Sequence, residues 1–228
     1  MSIPMLQALD IKKSFGKSEA LRGLNFEVEK GEVVAVMGPS GSGKSTLLHC
    51  LAGILAPDSG QVLLSGVEIQ NLNEERRSEL RRTQFGFVFQ FGQLLPELTA
   101  LDNVSIPLLL GKVKRKDAEG RARIWLERLG LAGMEDKLPS ELSGGQAQRV
   151  AIARAMVTHP QVLFADEPTG SLDSLAAENV MNMMLESVRS EGTTVIIITH
   201  DARTAAYADR DVIVRDGRIS GAMMGSGK

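Results

Sequence analysis

A single cysteine, Cys50, stands in 228 residues, so no internal disulfide can form. A chain so poor in cysteine suits a reducing compartment. Long hydrophobic runs are missing too. The longest, such as "VIII" at 195–198, have the length of a strand, far short of the roughly 18–20 apolar residues that span a bilayer. Any service to a membrane is therefore expected to go through a partner. The start, "MSIPMLQALDIKKSFG", lacks a positively charged leader followed by an apolar core, so no signal peptide is expected. Neither sign of charge dominates. The formal net charge of -2 excludes a polycation that seeks nucleic acid through its bulk charge. Internal repeats and low-complexity tracts are absent as well. What remains is an ordinary globular composition, 43% hydrophobic and 24% charged. The length allows one large domain or two lobes sharing a core.

Along the chain, residues 5–30 alternate short strand-like pieces with turns. "EVVAVMG" (32–38) reads as a buried strand, "KSTLLHCLAGIL" (44–55) as a helix and "QVLLSGVEI" (61–69) as extended. Arginines crowd residues 76–82 ahead of the apolar strand "FGFVFQ" (85–90). From about 91 to 160 the pattern turns helical. "QVLFAD" (161–166) returns to strand, 175–190 reads as helix, and "TTVIIITH" (193–200) is a strand with almost no alternation. Such a strand is buried on both faces and belongs in a parallel or mixed sheet flanked by helices. The expected organisation is a nucleotide-binding α/β core, residues 1–90 and 161–222. A helical subdomain at about 91–160 interrupts it, and a flexible tail follows at about 223–228. The tail's "GSGK" copies part of residues 41–44 but has neither a strand before it nor a helix after it, so no function is assigned to it.

Two glycine turns carry the chemistry. "GPSGSGKS", Gly38 to Ser45, fits G-x-x-x-x-G-K-[ST] between a strand and a helix. Its glycines let backbone N–H groups curl around phosphate oxygens. Lys44 supplies a point charge near the β and γ phosphates, and the Ser45 hydroxyl can ligate Mg²⁺. The helix that begins there aims its positive end at the same anion. Gly38, Pro39, Ser40, Gly41, Ser42, Gly43, Lys44, Ser45 and Thr46 are thus candidate residues for binding a nucleoside triphosphate. "VLFADE" delivers two carboxylates at a strand exit. Asp166 suits Mg²⁺ coordination through a water, and Glu167 suits polarising the attacking water. Gln90, ending "FGFVFQ", reads either as a Mg²⁺ ligand or as a simple strand-end polar residue. His200, ending "VIIITH", reads as a γ-phosphate partner or as a structural histidine. His49 and His159 receive no role, and no histidine cluster has metal-ligand spacing.

The second turn, "ELSGGQAQRVAIARA" (141–155), has no lysine. Ser143 to Gln146 fits the S-x-x-Q capping box that starts a helix. Yet the adjacent Gly144 and Gly145 leave the backbone bare at the helix's positive end, which suits a phosphate already held by something else.

"LSGGQ" (142–146), with the other elements in this order, resembles the ATP-binding cassette (ABC) family over nearly the whole chain. The resemblance implies a P-loop NTPase of the ABC ATPase fold: a RecA-like core sheet, an antiparallel β subdomain and an inserted α-helical subdomain. It implies an active ATPase with ATP and Mg²⁺ as cofactors. Glu167, His200 and Lys44 are then catalytic, Phe15 stacks on adenine, and Ser45, Gln90 and Asp166 serve the metal. Two copies pair head to tail, so that Ser143, Gly144, Gly145 and Gln146 act in trans on the nucleotide held by the other copy. Asp173 in "SLDS" (171–174) makes dimer contacts. Phe15 replaces the commoner tyrosine, and Ala147 stands where glutamine is frequent.

"FGFVFQFGQLLPELTALDNVSIPLLL" and "DEPTGSLDS" are similar to the MacB, LolD and FtsE group, whose members pair with a separate membrane permease. Cargoes in that group include lipoproteins, macrolides, peptides and haem. FtsE-like members instead regulate cell-wall hydrolases through a membrane partner. The chain is expected at the cytoplasmic face of the membrane, peripheral through a MacB/FtsX-like permease, with no nucleic-acid partner. Phe91, Leu94, Leu95 and Leu98 are the candidate permease contacts. Their alternative is packing within the helical subdomain.

Overall fold

The structure, a computed structural model, describes residues 3–90 and 92–224, so Phe91 and residues 225–228 of the tail lie outside the described residues. In chain order the elements are β1 (Leu6–Phe15), β2 (Ser18–Val28), β3 (Val33–Met37), α1 (Lys44–Leu51), β4 (Ser59–Leu64), β5 (Val67–Glu68), α2 (Glu74–Thr83) and β6 (Phe85–Phe89). There follow α3 (Ala100–Leu110), α4 (Arg115–Arg128), α5 (Gly144–Met156), β7 (Val162–Asp166), α6 (Ser174–Glu191), β8 (Thr194–Ile198), α7 (Ala202–Ala205), β9 (Arg210–Arg215) and β10 (Arg218–Met224). The chain divides into two compact units, residues 1–81 with 194–228, and residues 82–193.

The first unit holds two kinds of sheet. β2, β1, β4 and β5 form an antiparallel sheet in that order. Its inward residues, among them Leu6, Ile11, Leu21 and Leu24, are almost wholly buried. The other sheet runs β10-β9-β3-β8, with β3 parallel to both neighbours and β10 antiparallel at the edge. "VVAVM" and "TVIII" pair in register, Val33 opposite Val195 through Val36 opposite Ile198. They are buried along almost their whole length, as a strand covered on both faces must be. β10 runs through Met224, paired with Arg210, two residues into the segment expected as tail. The β9 ladder simply continues that far.

The second unit pairs β6 and β7 in parallel, with Phe85, Phe87 and Phe164 packed ring against ring at 5.2 and 5.4 Å. Around this pair its helices carry explicit stop and start signals. Thr99 caps α3 by accepting from the Asp102 N–H, and Asp173 caps α6 by accepting from Leu175 and Ala176. Gly192, left-handed at φ 67°, ends α6.

Two elements depart from the sequence reading. α1 stops at Leu51 rather than at residue 55, because Gly53 turns left-handed at φ 63° and breaks the ladder. α2, the arginine-rich stretch, forms a helix although only Leu80 is buried on it. Its surface is laced by Glu74 bonds to Arg77 and Arg81. A helix with no apolar stripe leaves no periodic trace in sequence.

Candidate active site

In the first unit, β3 delivers the chain into the loop 38–43 and α1 takes it away. A side chain at Gly38 would meet the Val214 carbonyl oxygen at 2.1 Å, and one at Gly43 the Ala20 carbonyl at 2.5 Å, so both positions require glycine. The Lys44 ammonium donates to the carbonyls of Gly38 and Pro39, both at 2.8 Å. Two of its three donors thus shape the loop, which leaves the third for an anion in the cradle. Ser42 is 5% exposed and its Oγ has no partner among the described residues. A buried hydroxyl without a partner costs roughly 1–3 kcal/mol, and a phosphoryl oxygen would remove that cost. The loop therefore fits a polyphosphate. Ser45 and Thr46 lie in the first turn of α1, Ser45 exposed and Thr46 half-buried.

His200 stands two residues past β8. The β3–β8 register carries it level with Gly38 at the carboxyl end of the sheet, exposed. Its neighbour Asp201 caps α7 and is held below the usual carboxylate range by hydrogen bonds from Arg203. Phe15 ends β1 with 52% of its surface exposed, and the Lys13 ammonium lies 5.9 Å from its ring centre. The exposed ring can stack on a base.

In the second unit the β6–β7 register sets Phe89 opposite Asp166. Gln90 and Glu167 therefore leave the pair side by side. Asp166 and Glu167 are half-buried, and both have interaction partners. Glu167 adopts φ 49°, left-handed without being glycine. Such backbone costs of order 1–3 kcal/mol and is concentrated at functional positions. Gln90 packs its amide against Gly170, where a Cβ would approach Nε2 to 2.8 Å, and its carbonyl accepts from Ser171 Oγ at 2.8 Å. The Gln90 amide and Asp166 carboxylate oxygens in this unit, and separately the Ser45 hydroxyl in the first, are each of the hard donor type that Mg²⁺ takes. Among the described residues no group of three or more His, Cys, Asp or Glu could cage a metal. Mg²⁺ ordinarily takes one or two carboxylates together with substrate phosphates rather than an all-protein cage.

The lysine-free turn is a full capping box. The Gln146 N–H donates to Ser143 Oγ at 3.3 Å, and the Ser143 N–H donates to Gln146 Oε1 at 2.8 Å. Gly144 and Gly145 follow with N–H groups that begin the helix and so lack an intrahelical acceptor. They face a cleft of about 480 Å³ lined by Ser143, Arg149, Asp173, Ala176 and Met183. Capping and anion binding are thus compatible: the box spends the serine side chain and leaves two backbone donors.

Of the candidate permease contacts, Leu95 is 46% exposed, and Leu94 and Leu98 are half-buried. Phe91 falls outside the described residues. No helix among the described residues is long and apolar enough to cross a membrane. Sequence reasoning missed Gln148, Arg154 and Ser171, which bond the backbone after β6. Their acceptors are main-chain carbonyls, which leave no pattern in a sequence.

A family model described as "ABC transporter" matches residues 21–170. The lipoprotein-releasing system ATP-binding protein LolD of Porphyromonas gingivalis is 44% identical over 215 residues, 94% of this chain and 98% of that protein. LolD of Legionella pneumophila (strain Paris) is 48% identical over 201 residues, 88% of each chain. Among solved structures, dimeric MJ0796, a bacterial ABC transporter cassette, is similar with a TM-score of 0.89 and 35% identity, covering 98% of this chain and 100% of that one. A dimeric post-hydrolysis state of MJ0796 bound to ADP and Pi gives a TM-score of 0.88 over the same shares.

Proposed function

This chain belongs to the ABC transporter family and is an ATP-binding, ATP-hydrolysing transporter subunit; on that premise we propose that it drives a lipoprotein-releasing system through a separate MacB-like membrane permease. The observation that carries the cargo reading is identity of 44–48% with proteins named for lipoprotein release, over nearly the full length of the P. gingivalis relative. The chain would sit on the cytoplasmic face of the membrane, held there by the permease. Leu94, Leu95 and Leu98, none of them buried, would supply the apolar surface that receives a cytoplasmic segment of that partner.

The residues divide the chemistry as follows. The 38–46 loop and Lys44 grip the phosphates, and Phe15 stacks on adenine. Mg²⁺, held by Ser45, Gln90 and, through water, Asp166, would neutralise charge on the phosphates. Glu167 takes the proton of the attacking water, and His200 hydrogen-bonds the γ-phosphate. Transfer of the phosphoryl group rests on positioning and charge stabilisation. The Ser143–Gln146 turn acts in trans: its bare N–H groups add donors to a γ-phosphate that Lys44 of a second copy already holds. Asp173 and its neighbours carry contacts across that interface. Two ATP molecules then join the two copies, and hydrolysis loosens them. The dimeric form of MJ0796 supports this reading.

Purification of the chain from native membranes tests the partner and cargo. Recovery of a permease with an extracytoplasmic domain, and ATP-dependent release of lipoprotein by the pair, is expected. A partner that activates cell-wall hydrolases would overturn the cargo reading. Ser143→Arg tests action in trans: ATP should still bind at the lysine loop while the dimer fails to close. Unchanged hydrolysis in the assembled complex would refute it.

A further inference from the structure

The turn after β6 is tied down along its backbone. The Phe89 carbonyl accepts from Gln148 Nε2 at 3.0 Å and the Gln90 carbonyl from Ser171 Oγ at 2.8 Å. The carbonyls of Gly92 and Gln93 accept from the two terminal nitrogens of Arg154 at 2.6 and 2.8 Å. Gly92 and Gln93 are successive left-handed residues, φ 65° and 46°. For glutamine that conformation costs about 1–2 kcal/mol. It also sets two carbonyls side by side, an acceptor pair matched by a planar guanidinium and not by the point charge of an ammonium. Burial lowers the Arg154 pKa from the usual arginine range, and among the described residues its hydrogen bonds all go to these carbonyls. The guanidinium is half-buried, with both terminal nitrogens committed to this one turn.

Gln148 and Arg154 both belong to α5, the helix that starts at the Ser143 turn. We propose that Arg154, assisted by Gln148, is a positioning residue that fastens the backbone following Gln90 to α5, so that Gln90 and the Ser143 turn move as one body. The inference rests on the reading that Gln90 serves the bound nucleotide. Its consequence is mechanical. A displacement of Gln90 as the γ-phosphate leaves, or pressure on Leu94, Leu95 and Leu98, is passed to α5 through the Gln148 and Arg154 bonds. Arg154 touches no reacting atom and acts only through Gln90 and α5.

The test is steady-state ATP hydrolysis by the full chain carrying Arg154→Met, Arg154→Lys or Gln90→Ala, with amide exchange followed in parallel. Arg154→Met should lower kcat by about tenfold, since misplacement by about 1 Å costs up to 10²-fold. KM for ATP should stay within about twofold, because the Lys44 loop is untouched. Arg154→Lys, which can reach one carbonyl, should recover part of the loss. Amides of residues 92–95, 97 and 98 should exchange faster in Arg154→Met while those of α6 do not change. Should Arg154→Met fail to fold, Gln148→Met carries the same comparison. Normal kcat in Arg154→Met beside a reduced kcat in Gln90→Ala would overturn the fastening and leave the Gln90 reading standing. Normal kcat in Gln90→Ala would remove that reading and the inference with it. A smaller folded fraction with unchanged turnover per folded molecule, not improved by lysine, would reduce Arg154 to a packing residue.

Discussion

Replacing Asn103 by leucine removes one side chain and cuts four hydrogen bonds. Asn103 is fully buried. Its Oδ1 accepts from the Leu95 N–H at 2.8 Å, and its Nδ2 donates to the carbonyls of Leu95, Leu98 and Thr99 at 3.1, 3.0 and 3.0 Å. Two hydrogens on Nδ2 serve three carbonyls, so one bond is shared and the effective number is nearer three. At about 1 kcal/mol net for each bond, the loss is about 3 kcal/mol. Leucine fills a similar volume, so cavity formation adds little. The loop 95–98 is half-exposed to exposed, so water can reach some of the orphaned groups and hold the cost near that figure. Asn103→Asp should differ in a diagnostic way. A carboxylate would face three carbonyl oxygens, which raises its folded pKa above the unfolded value of about 4. Stability is then best below about pH 4 and falls as pH rises through the range above it. Urea unfolding with amide exchange at residues 95 and 97–99 measures both variants. A leucine variant within about 0.5 kcal/mol of the parent, with unchanged exchange at Leu95, would refute the reasoning, since net values for single bonds start near that figure.

Glu167→Gln should keep ATP bound and lower hydrolysis by about 10²–10⁴-fold, the usual contribution of a general base, with a closed ATP-bound dimer accumulating on gel filtration. Near-normal turnover would remove Glu167 as the base. Glu191 is held below the usual carboxylate range first by the Arg128 hydrogen bond at 2.5 Å and then by His159 at 2.8 Å. Its stabilisation should be complete above about pH 4.3, the unfolded value, and be lost as pH falls through the lower folded value. Urea midpoints of the parent should therefore fall more steeply below pH 4.3 than those of Glu191→Gln; parallel curves would show the pair to be inert.

Much of the fold was legible because burial writes itself into residue type. "VVAVM" and "TVIII" lack polar alternation, and they form the adjacent parallel strands β3 and β8. Two glycines of the 38–45 motif were readable at single-residue level, since a carbonyl stands where the Cβ of Gly38 or Gly43 would be. The S-x-x-Q box at 143–146 formed as its spacing predicts. α2 was not legible, being held at its surface by Glu74–arginine bonds rather than by an apolar stripe.

By itself, then, the amino-acid order determined the strands, the glycine loop between β3 and α1, the helix starts and the chemical types at each strand end, because those follow from local sterics and from whether a stretch can meet water. Tertiary structure alone decided that Gln90 emerges beside Glu167, that Arg154 and Gln148 hold the turn after β6, and that Asn103 anchors the loop 95–99. The Arg154, Gln148 and Ser171 bonds join positions 59 to 81 residues apart and end on carbonyl oxygens. Every residue carries such an oxygen, so only the path of the folded backbone selects which of them a side chain meets.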